Sequence, residues 1–151
     1  MSDKVLLKFK LVSDKFSDIP LPSYSTEGSS GMDIRAAIND SIIIEPGTIH
    51  IIPTNLQVEI PEGFELQIRP RSGLAAKYGI TLLNSPGTID SDYRGEIKII
   101  ITNLGSQPFT IKRGDRIAQM ILTKFYKANI EIVEELTESH RGNAGFGHTG
   151  I

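Results

Sequence analysis

The sequence predicts an all-β protein, a jelly-roll-like β-barrel with one short helix and a flexible C-terminal tail. Apolar and polar residues alternate with period two, as in residues 56–60 and 64–68, which is the pattern of a strand with one buried face. Glycine and proline turn signals recur at short intervals between such runs. Many short strands separated by tight turns indicate a sandwich or a closed barrel.

The elements can be placed in order along the first half of the chain. Four successive strands are predicted at residues 42–45, 49–52, 56–60 and 64–68. Pro46 and Gly47 suit the two central positions of a type II turn, and Pro61 with Gly63 suits a type I turn. The one helix that we predict covers one or two turns over residues 73–78, which is too short for a helical layer.

The composition fits a single domain without covalent cross-links. A chain of 151 residues can bury about two-thirds of its unfolded surface, so it sustains a core unaided. It has no cysteine, which excludes a disulfide framework, a thiol nucleophile and a thiolate metal site. The 16 Lys and Arg residues against 18 Asp and Glu residues offer no general attraction to an anionic polymer or surface, so we expect no nucleic-acid and no membrane partner. The N-terminus lacks the pattern of a signal or transit peptide, so we expect a cytoplasmic protein.

The composition changes near the C-terminus. Beyond Leu136 the chain is rich in glycine and hydroxyl residues, and Phe146 is the one large apolar side chain before Ile151. Such a segment buries too little surface to order itself. We therefore expect a β-barrel domain over residues 1–136 and a flexible lid over residues 137–151.

The lid contains two patterns that are associated with phosphate binding. Gly142 to Thr149 differs from a P-loop sequence at one residue, because His148 stands where the pattern has Lys. Gly145 to Gly150 satisfies G-x-G-x-x-G. Both patterns require a strand before the glycines and a helix after them, whose N-terminus binds the phosphate. Only Ile151 follows in this sequence, so we expect phosphate contacts from the lid without a P-loop fold.

Four further segments are richer in glycine, charge and hydroxyl groups than strand formation requires: residues 31–37, 69–75, 84–96 and 113–120. Most of them have an ordinary structural interpretation when taken singly. Asp33 suits a turn, Ser72 suits a helix N-cap, and Gln119 suits a polar group paired with backbone. The segment 84–96 is harder to explain in this way. We predict a hairpin over Asn84 to Tyr93, and a plain hairpin turn needs neither Tyr93 nor so many acids.

Together, in this order and spacing, the four segments and the lid resemble the trimeric dUTPase family, from Gly31 to Gly150. The resemblance implies a homotrimer of jelly-roll-like barrels with active sites at the subunit interfaces. Each site would take the first, second and fourth segments from one subunit, the third from a neighbour and the lid from the last. The implied reaction is hydrolysis of dUTP to dUMP and pyrophosphate with Mg²⁺ on the triphosphate, which lowers dUTP and supplies dUMP for thymidylate synthesis.

The resemblance also implies a role for individual residues. Asp90 would be the general base, and Tyr93 would pack under the deoxyribose. Asp33 would act through water near the metal. The uracil base would be read by Asn84 and by the adjoining residues Gly87, Thr88 and Ile89. The phosphates would be bound by Arg71, Ser72, Gly73 and Gln119, and the lid would contribute Arg141, Phe146, Gly147 and Thr149.

These roles agree with the chemistry of the side chains. An aspartate with an ordinary pKa of about 3.9 is ionised at neutral pH, so Asp90 can accept a proton from water without special activation. Phosphoryl transfer mainly requires positioning and charge stabilisation, which Arg71, Arg141 and Mg²⁺ can supply. The lid departs from the family twice, because Ala144 and His148 stand where Gly and Ser are more usual. We expect these changes to affect affinity or lid kinetics rather than to abolish activity.

Three alternatives remain open at the level of sequence. A dCTP deaminase-like enzyme would use a Glu base and a different basic and hydroxyl pattern in the second segment. A dUTPase-like regulatory module would signal through its nucleotide-bound state. A structural β-barrel with a disordered tail would leave the five segments unexplained.

Overall fold

The computed structural model describes residues 4–146, and within this range the chain folds into twelve strands, a 3₁₀ helix and one α-helix. The strands of the first half are β1 (Lys8–Leu11), β2 (Ser23–Tyr24), β3 (Gly31–Arg35), β4 (Ile42–Ile44), β5 (Ile49–Pro53), β6 (Leu56–Glu59) and β7 (Phe64–Arg69). Those of the second half are β8 (Ile80–Leu82), β9 (Gly87–Ile89), β10 (Lys98–Asn103), β11 (Phe109–Ile111) and β12 (Arg116–Lys124). The 3₁₀ helix covers Asp14–Phe16, and α1 covers Ser72–Tyr78. The predicted all-β class is confirmed.

The strands pair antiparallel in four sheets. The largest has five strands in the order β2-β3-β12-β7-β9, and the second has three in the order β5-β10-β8. Two further sheets are the pairs β1-β6 and β11-β4. Strand pairing within residues 4–146 therefore does not form one continuous ring, and the four sheets surround a common core.

The core is built from the inward faces of all four sheets. Alternate residues of β3 and β6 are buried while their neighbours are more exposed, as the period-two pattern predicts. The cluster is dominated by isoleucine, and Ile34, Ile52, Ile99 and Ile111 are almost completely buried. β-Branched side chains pack well on a pleated surface, so this composition favours strands at the same positions where it fills the interior.

The four predicted strands are confirmed as β4 to β7, with ends that differ by one residue. Gly47 has φ of 76°, and the N–H of Thr48 donates to the carbonyl of Glu45, which confirms the type II turn. The predicted type I turn was wrong. The N–H of Phe64 donates to the carbonyl of Pro61, which places Gly63, with φ of 84°, at the third position of a type II turn. Glycine permits this positive φ at no steric cost.

The predicted helix is confirmed but begins one residue earlier. Ser72 is the first helical residue and Arg71 is the N-cap, so the interpretation of Ser72 as an N-cap was wrong. Arg71 has an extended backbone, with φ of −88° and ψ of 126°, and makes no capping bond through its side chain. The arginine side chain is therefore available for other contacts.

Regular secondary structure ends at Lys124 within the described range. Every residue from 126 to 143 is exposed, including Ile130 and Ile132. Across residues 4–146, none of the helices has the length and apolar character required to cross a membrane.

Candidate active site

The first group of predicted site residues lies at one end of the five-stranded sheet. Asp33 in β3 is opposite Gln119 in β12, and its neighbours Met32 and Ile34 are buried, so its side chain lies on the outer face. Asp33 Oδ1 is 3.2 Å from Nε of Arg71, and Asp33 Oδ2 is 3.3 Å from Nη1 of Arg116. The aspartate side chain is only 14% exposed. One carboxylate thus holds two guanidinium groups side by side.

This cluster lines a polar pocket of about 400 Å³. The wall consists of Ser25, Gly28, Ser29, Ser30, Gly31, Asp33, Arg71, Arg116 and Gln119. A Cβ atom at Gly31 would lie 2.8 Å from Oε1 of Gln119, so the missing side chain leaves the space that the glutamine amide occupies. With two guanidinium groups against one carboxylate, the pocket carries a net positive charge that suits an anion.

The structure gives different positions to the members of the second predicted segment. Arg71 lines the pocket, whereas Ser72 and Gly73 lie beside it as exposed residues at the start of α1. Sequence reasoning did not single out Arg116, although it stands within the segment 113–120. A signal was present, because Arg116 is a charged residue at the start of an apolar strand, but its partner Asp33 is far away in sequence.

The second group of predicted site residues surrounds β9. Gly87, Thr88 and Ile89 form this strand, which pairs with β7, and Asn84 precedes it. A Cβ atom at Gly87 would lie 3.2 Å from Nδ2 of Asn84, so the asparagine amide packs against the start of β9. The amide and the adjoining backbone groups are the kind of fixed donors and acceptors that can read the edge of a base.

The hairpin predicted over residues 84–93, within the segment 84–96, was wrong. Within that segment, which the structure describes in full, β9 has no strand partner, and the chain continues to β10, which pairs with β5 and β8. Local bonds shape the loop instead: the N–H of Tyr93 donates to the carbonyl of Asp90, and Nη1 of Arg94 donates to the carbonyl of Ser91.

Asp90 and Tyr93 are presented by this loop. Asp90 is exposed and borders a wide depression of about 1130 Å³, together with Asp92, Arg94, the β6–β7 turn and residues 125–127. The Tyr93 hydroxyl donates to the carbonyl of Glu96 at 3.0 Å. The residues that line this depression and those that line the pocket around Asp33 do not overlap. In one protomer, therefore, the candidate base and the candidate phosphate contacts do not line a shared pocket.

The described part of the lid is open to solvent. Nε of Arg141 donates to the carbonyl of Ala144 at 2.8 Å, and the Phe146 side chain is fully exposed. Gly142 and Phe146 have positive φ, whereas Ala144 does not, so the alanine causes no backbone strain here. Gly147, His148 and Thr149 lie outside the described residues.

Comparison with known proteins places these segments in a family. The family model described as dUTPase matches residues 17–150 of the chain. A deoxyuridine 5'-triphosphate nucleotidohydrolase of Caldanaerobacter subterraneus subsp. tengcongensis is 56% identical over 147 residues, which are 97% of this chain and 99% of that protein.

Solved structures show the same fold. The dUTPase of Staphylococcus bacteriophage 80alpha with dUpNHpp is 26% identical and has a TM-score of 0.86, covering 97% of this chain and 99% of that chain. A mutant dUTPase from phage phi11 of S. aureus, described with a coordinated structural Mg(II) ion, is 24% identical with a TM-score of 0.76 over 86% of this chain and 97% of its own. From the match over residues 17–150 and the identity of 56% to a nearly full-length relative, this chain belongs to the dUTPase family.

Proposed function

We propose that this protein hydrolyses dUTP to dUMP and pyrophosphate, and so lowers dUTP and supplies dUMP for thymidylate synthesis. The observation that carries the proposal is the positive pocket in which Arg71, Arg116 and Gln119 surround Asp33. The absence of cysteine from the sequence is compatible with a cytoplasmic location, which is part of the same proposal.

Binding a triphosphate is mainly a matter of compensating its charge. Guanidinium groups form bidentate, charge-assisted hydrogen bonds with phosphate oxygens, and they stay protonated at every physiological pH. Asp33 holds Arg71 and Arg116 in place before the substrate arrives, so less side-chain entropy is lost on binding. Ser72 and Gly73 lie next to Arg71 at the start of α1. We assign both of them, and Arg141 of the lid, to the same set of phosphate-binding residues.

The hydrolytic step requires a base that activates water. Asp90 is exposed on its loop, where its carboxylate can orient a water molecule and accept its proton. Because the reaction adds water to a phosphoanhydride, the proton leaves the nucleophile while charge develops on the pyrophosphate. The phosphate-binding arginines stabilise that charge.

Mg²⁺ fits this site as an ion that the triphosphate itself would coordinate. Among residues 4–146, no cluster of three or more acidic or histidine side chains is arranged to hold a metal ion. Each carboxylate oxygen of Asp33 forms an ion pair with one arginine and retains acceptor capacity for a water molecule. We therefore assign Asp33 to the metal through water, where Mg²⁺ would neutralise phosphate charge.

Selection of deoxyuridine is assigned to the third segment and the lid. Asn84, with the backbone of Gly87, Thr88 and Ile89, would read the donor and acceptor pattern of uracil. Tyr93 would leave no space for a 2'-hydroxyl, and Phe146 would cover the base, with Gly147 and Thr149 closing over the phosphates.

Two observations support a homotrimer with shared sites. The depression beside Asp90 and the pocket around Asp33 are lined by separate sets of residues, as expected if a second subunit completes each site. Large apolar side chains are also exposed: Ile49 and Ile51 on one face of β5, and Ile130, Ile132 and Leu136 beyond β12. Exposed apolar patches of this kind mark association surfaces.

Parallel assays of pyrophosphate release test the substrate assignment. We expect dUTP to be hydrolysed at least roughly 10²-fold more efficiently than dCTP, dTTP or UTP, because a site that hydrogen-bonds its substrate discriminates strongly against altered groups. Release of ammonia from dCTP, or comparable hydrolysis of UTP, would contradict the proposal.

Light scattering at assay concentration tests the assembly. If the site is shared, the active species should have about three times the 16.6 kDa mass of one chain. Dilution until the trimer dissociates should remove activity in parallel with the loss of mass. A monomer with undiminished turnover would show that one chain completes the site by itself.

A further inference from the structure

The Tyr93 ring lies directly against the backbone of Gly95. A Cβ atom built on Gly95 would be 2.3 Å from the tyrosine Oη, 2.5 Å from Cζ and 2.9 Å from Cε2. All three atoms nearest to that position belong to Tyr93. Real Cβ atoms essentially never make contacts below 3.0 Å, so Tyr93 can occupy this position only if residue 95 has no side chain.

The backbone conformation does not explain the glycine. Gly47, Gly63, Gly79, Gly114 and Gly142 adopt positive φ, but Gly95 does not. An alanine would therefore be free of backbone strain at this position. What residue 95 must avoid is the tyrosine ring.

The Tyr93 ring is partly open to solvent. Its side of the loop faces solvent, with 43% of Tyr93 exposed, and its hydroxyl donates one hydrogen bond to the carbonyl of Glu96. A side chain at residue 95 would displace Tyr93 by roughly 1 Å to restore an ordinary contact of 3.4 Å, since 3.4 minus 2.3 is 1.1.

We propose that Gly95 is a positioning residue that determines sugar specificity, because it sets the depth at which the Tyr93 ring lies. The inference rests on the proposed role of Tyr93 as the surface that excludes a ribose 2'-hydroxyl. If a Cβ atom displaced the Tyr93 ring, the space that opened would be about as large as a 2'-hydroxyl group requires. The absence of one methyl group at residue 95 therefore decides whether the ring lies where it can discriminate between the two sugars.

A double-mutant cycle between the two residues tests the inference. The four proteins are the parent, Gly95→Ala, Tyr93→Ala and the double variant, and the measured quantity is the ratio of kcat/KM for dUTP to kcat/KM for UTP. We expect Gly95→Ala to lower this ratio at least about 10-fold, chiefly through a higher kcat/KM for UTP, because the displaced ring would no longer exclude the 2'-hydroxyl. In the Tyr93→Ala background the same change should have no further effect, because the ring that the Cβ atom would displace is gone.

Two further measurements separate positioning from misfolding. Gly95→Ala should melt within a few degrees of the parent, since an exposed ring can move into solvent at little cost. Tyr93→Phe keeps the ring and removes the bond to Glu96, so it should retain most of the selectivity. If Gly95→Ala keeps its selectivity while Tyr93→Ala loses it, the inference about Gly95 is overturned but the proposed role of Tyr93 stands. An equal effect of Gly95→Ala in both backgrounds would have the same consequence. Full selectivity in Tyr93→Ala would instead overturn the proposed role of Tyr93, and the inference with it.

Discussion

Replacing Asp90 with asparagine is expected to lower the turnover of dUTP by about 10²-fold or more while dUTP binding is largely retained. Asparagine has nearly the same size and keeps most of the hydrogen bonding, but it cannot accept a proton from water, and loss of a general base typically costs 10²–10⁴-fold. Turnover should be measured by pyrophosphate release, and binding by calorimetry with a non-hydrolysable dUTP analogue.

Asp92 provides the matched control for this prediction. It borders the same depression as Asp90 and is also exposed, so Asp92→Asn makes the same chemical change two residues away. We expect Asp92→Asn to retain most of the activity. The opposite pattern, with Asp90→Asn near normal and Asp92→Asn impaired, would move the base to Asp92.

Deletion of residues 141–151 is expected to reduce catalysis sharply and to leave the fold and the assembly almost unchanged. The described part of this segment makes few contacts with the barrel: Arg141 bonds to the carbonyl of Ala144, and Phe146 is fully exposed. The melting temperature and the mass by light scattering should therefore stay close to those of the full chain. Turnover should fall because the deletion removes a guanidinium, an aromatic ring and the backbone N–H groups that the proposal places on the triphosphate.

Phe146→Ala separates the contribution of the ring from that of the whole lid. Stacking on a base contributes about 1–3 kcal/mol in comparable sites, so this variant should lose less activity than the deletion. Backbone relaxation from Thr137 onward should show fast motion in the free protein, which is quenched by a non-hydrolysable dUTP analogue with Mg²⁺. Full turnover in the truncated protein would show that the segment is a solvated terminus without a role in catalysis.

The local elements were predictable because their causes are local. Alternating apolar residues in strands such as β6 bury one face wherever the sheet is placed, and Pro46 with Gly47 determines a turn from two adjacent residues. The errors arose where two local solutions are close in energy. Gly63 fits either of two turn types, and the hydrogen bond from Phe64 to Pro61 selects the one with positive φ.

The candidate site also has one part that could be predicted from the sequence and another that only the tertiary structure revealed. The order and spacing of five segments carried the resemblance to the dUTPase family, and that resemblance implied roles for Asp33, Arg71, Gln119, Asp90 and Tyr93. Only the tertiary structure showed that Arg116 joins Asp33, since the antiparallel pairing of β3 with β12 brings together residues 83 positions apart.

The sequence by itself therefore determined the all-β class, the positions of most strands and the segments that bear functional groups, because each of these depends on residues that are neighbours along the chain. The tertiary structure decided which charges pair, that β9 joins β7 instead of forming a hairpin, and that the Tyr93 ring lies against Gly95. Those outcomes depend on distances between side chains after the sheets pack, and a pattern of residue types does not specify such distances.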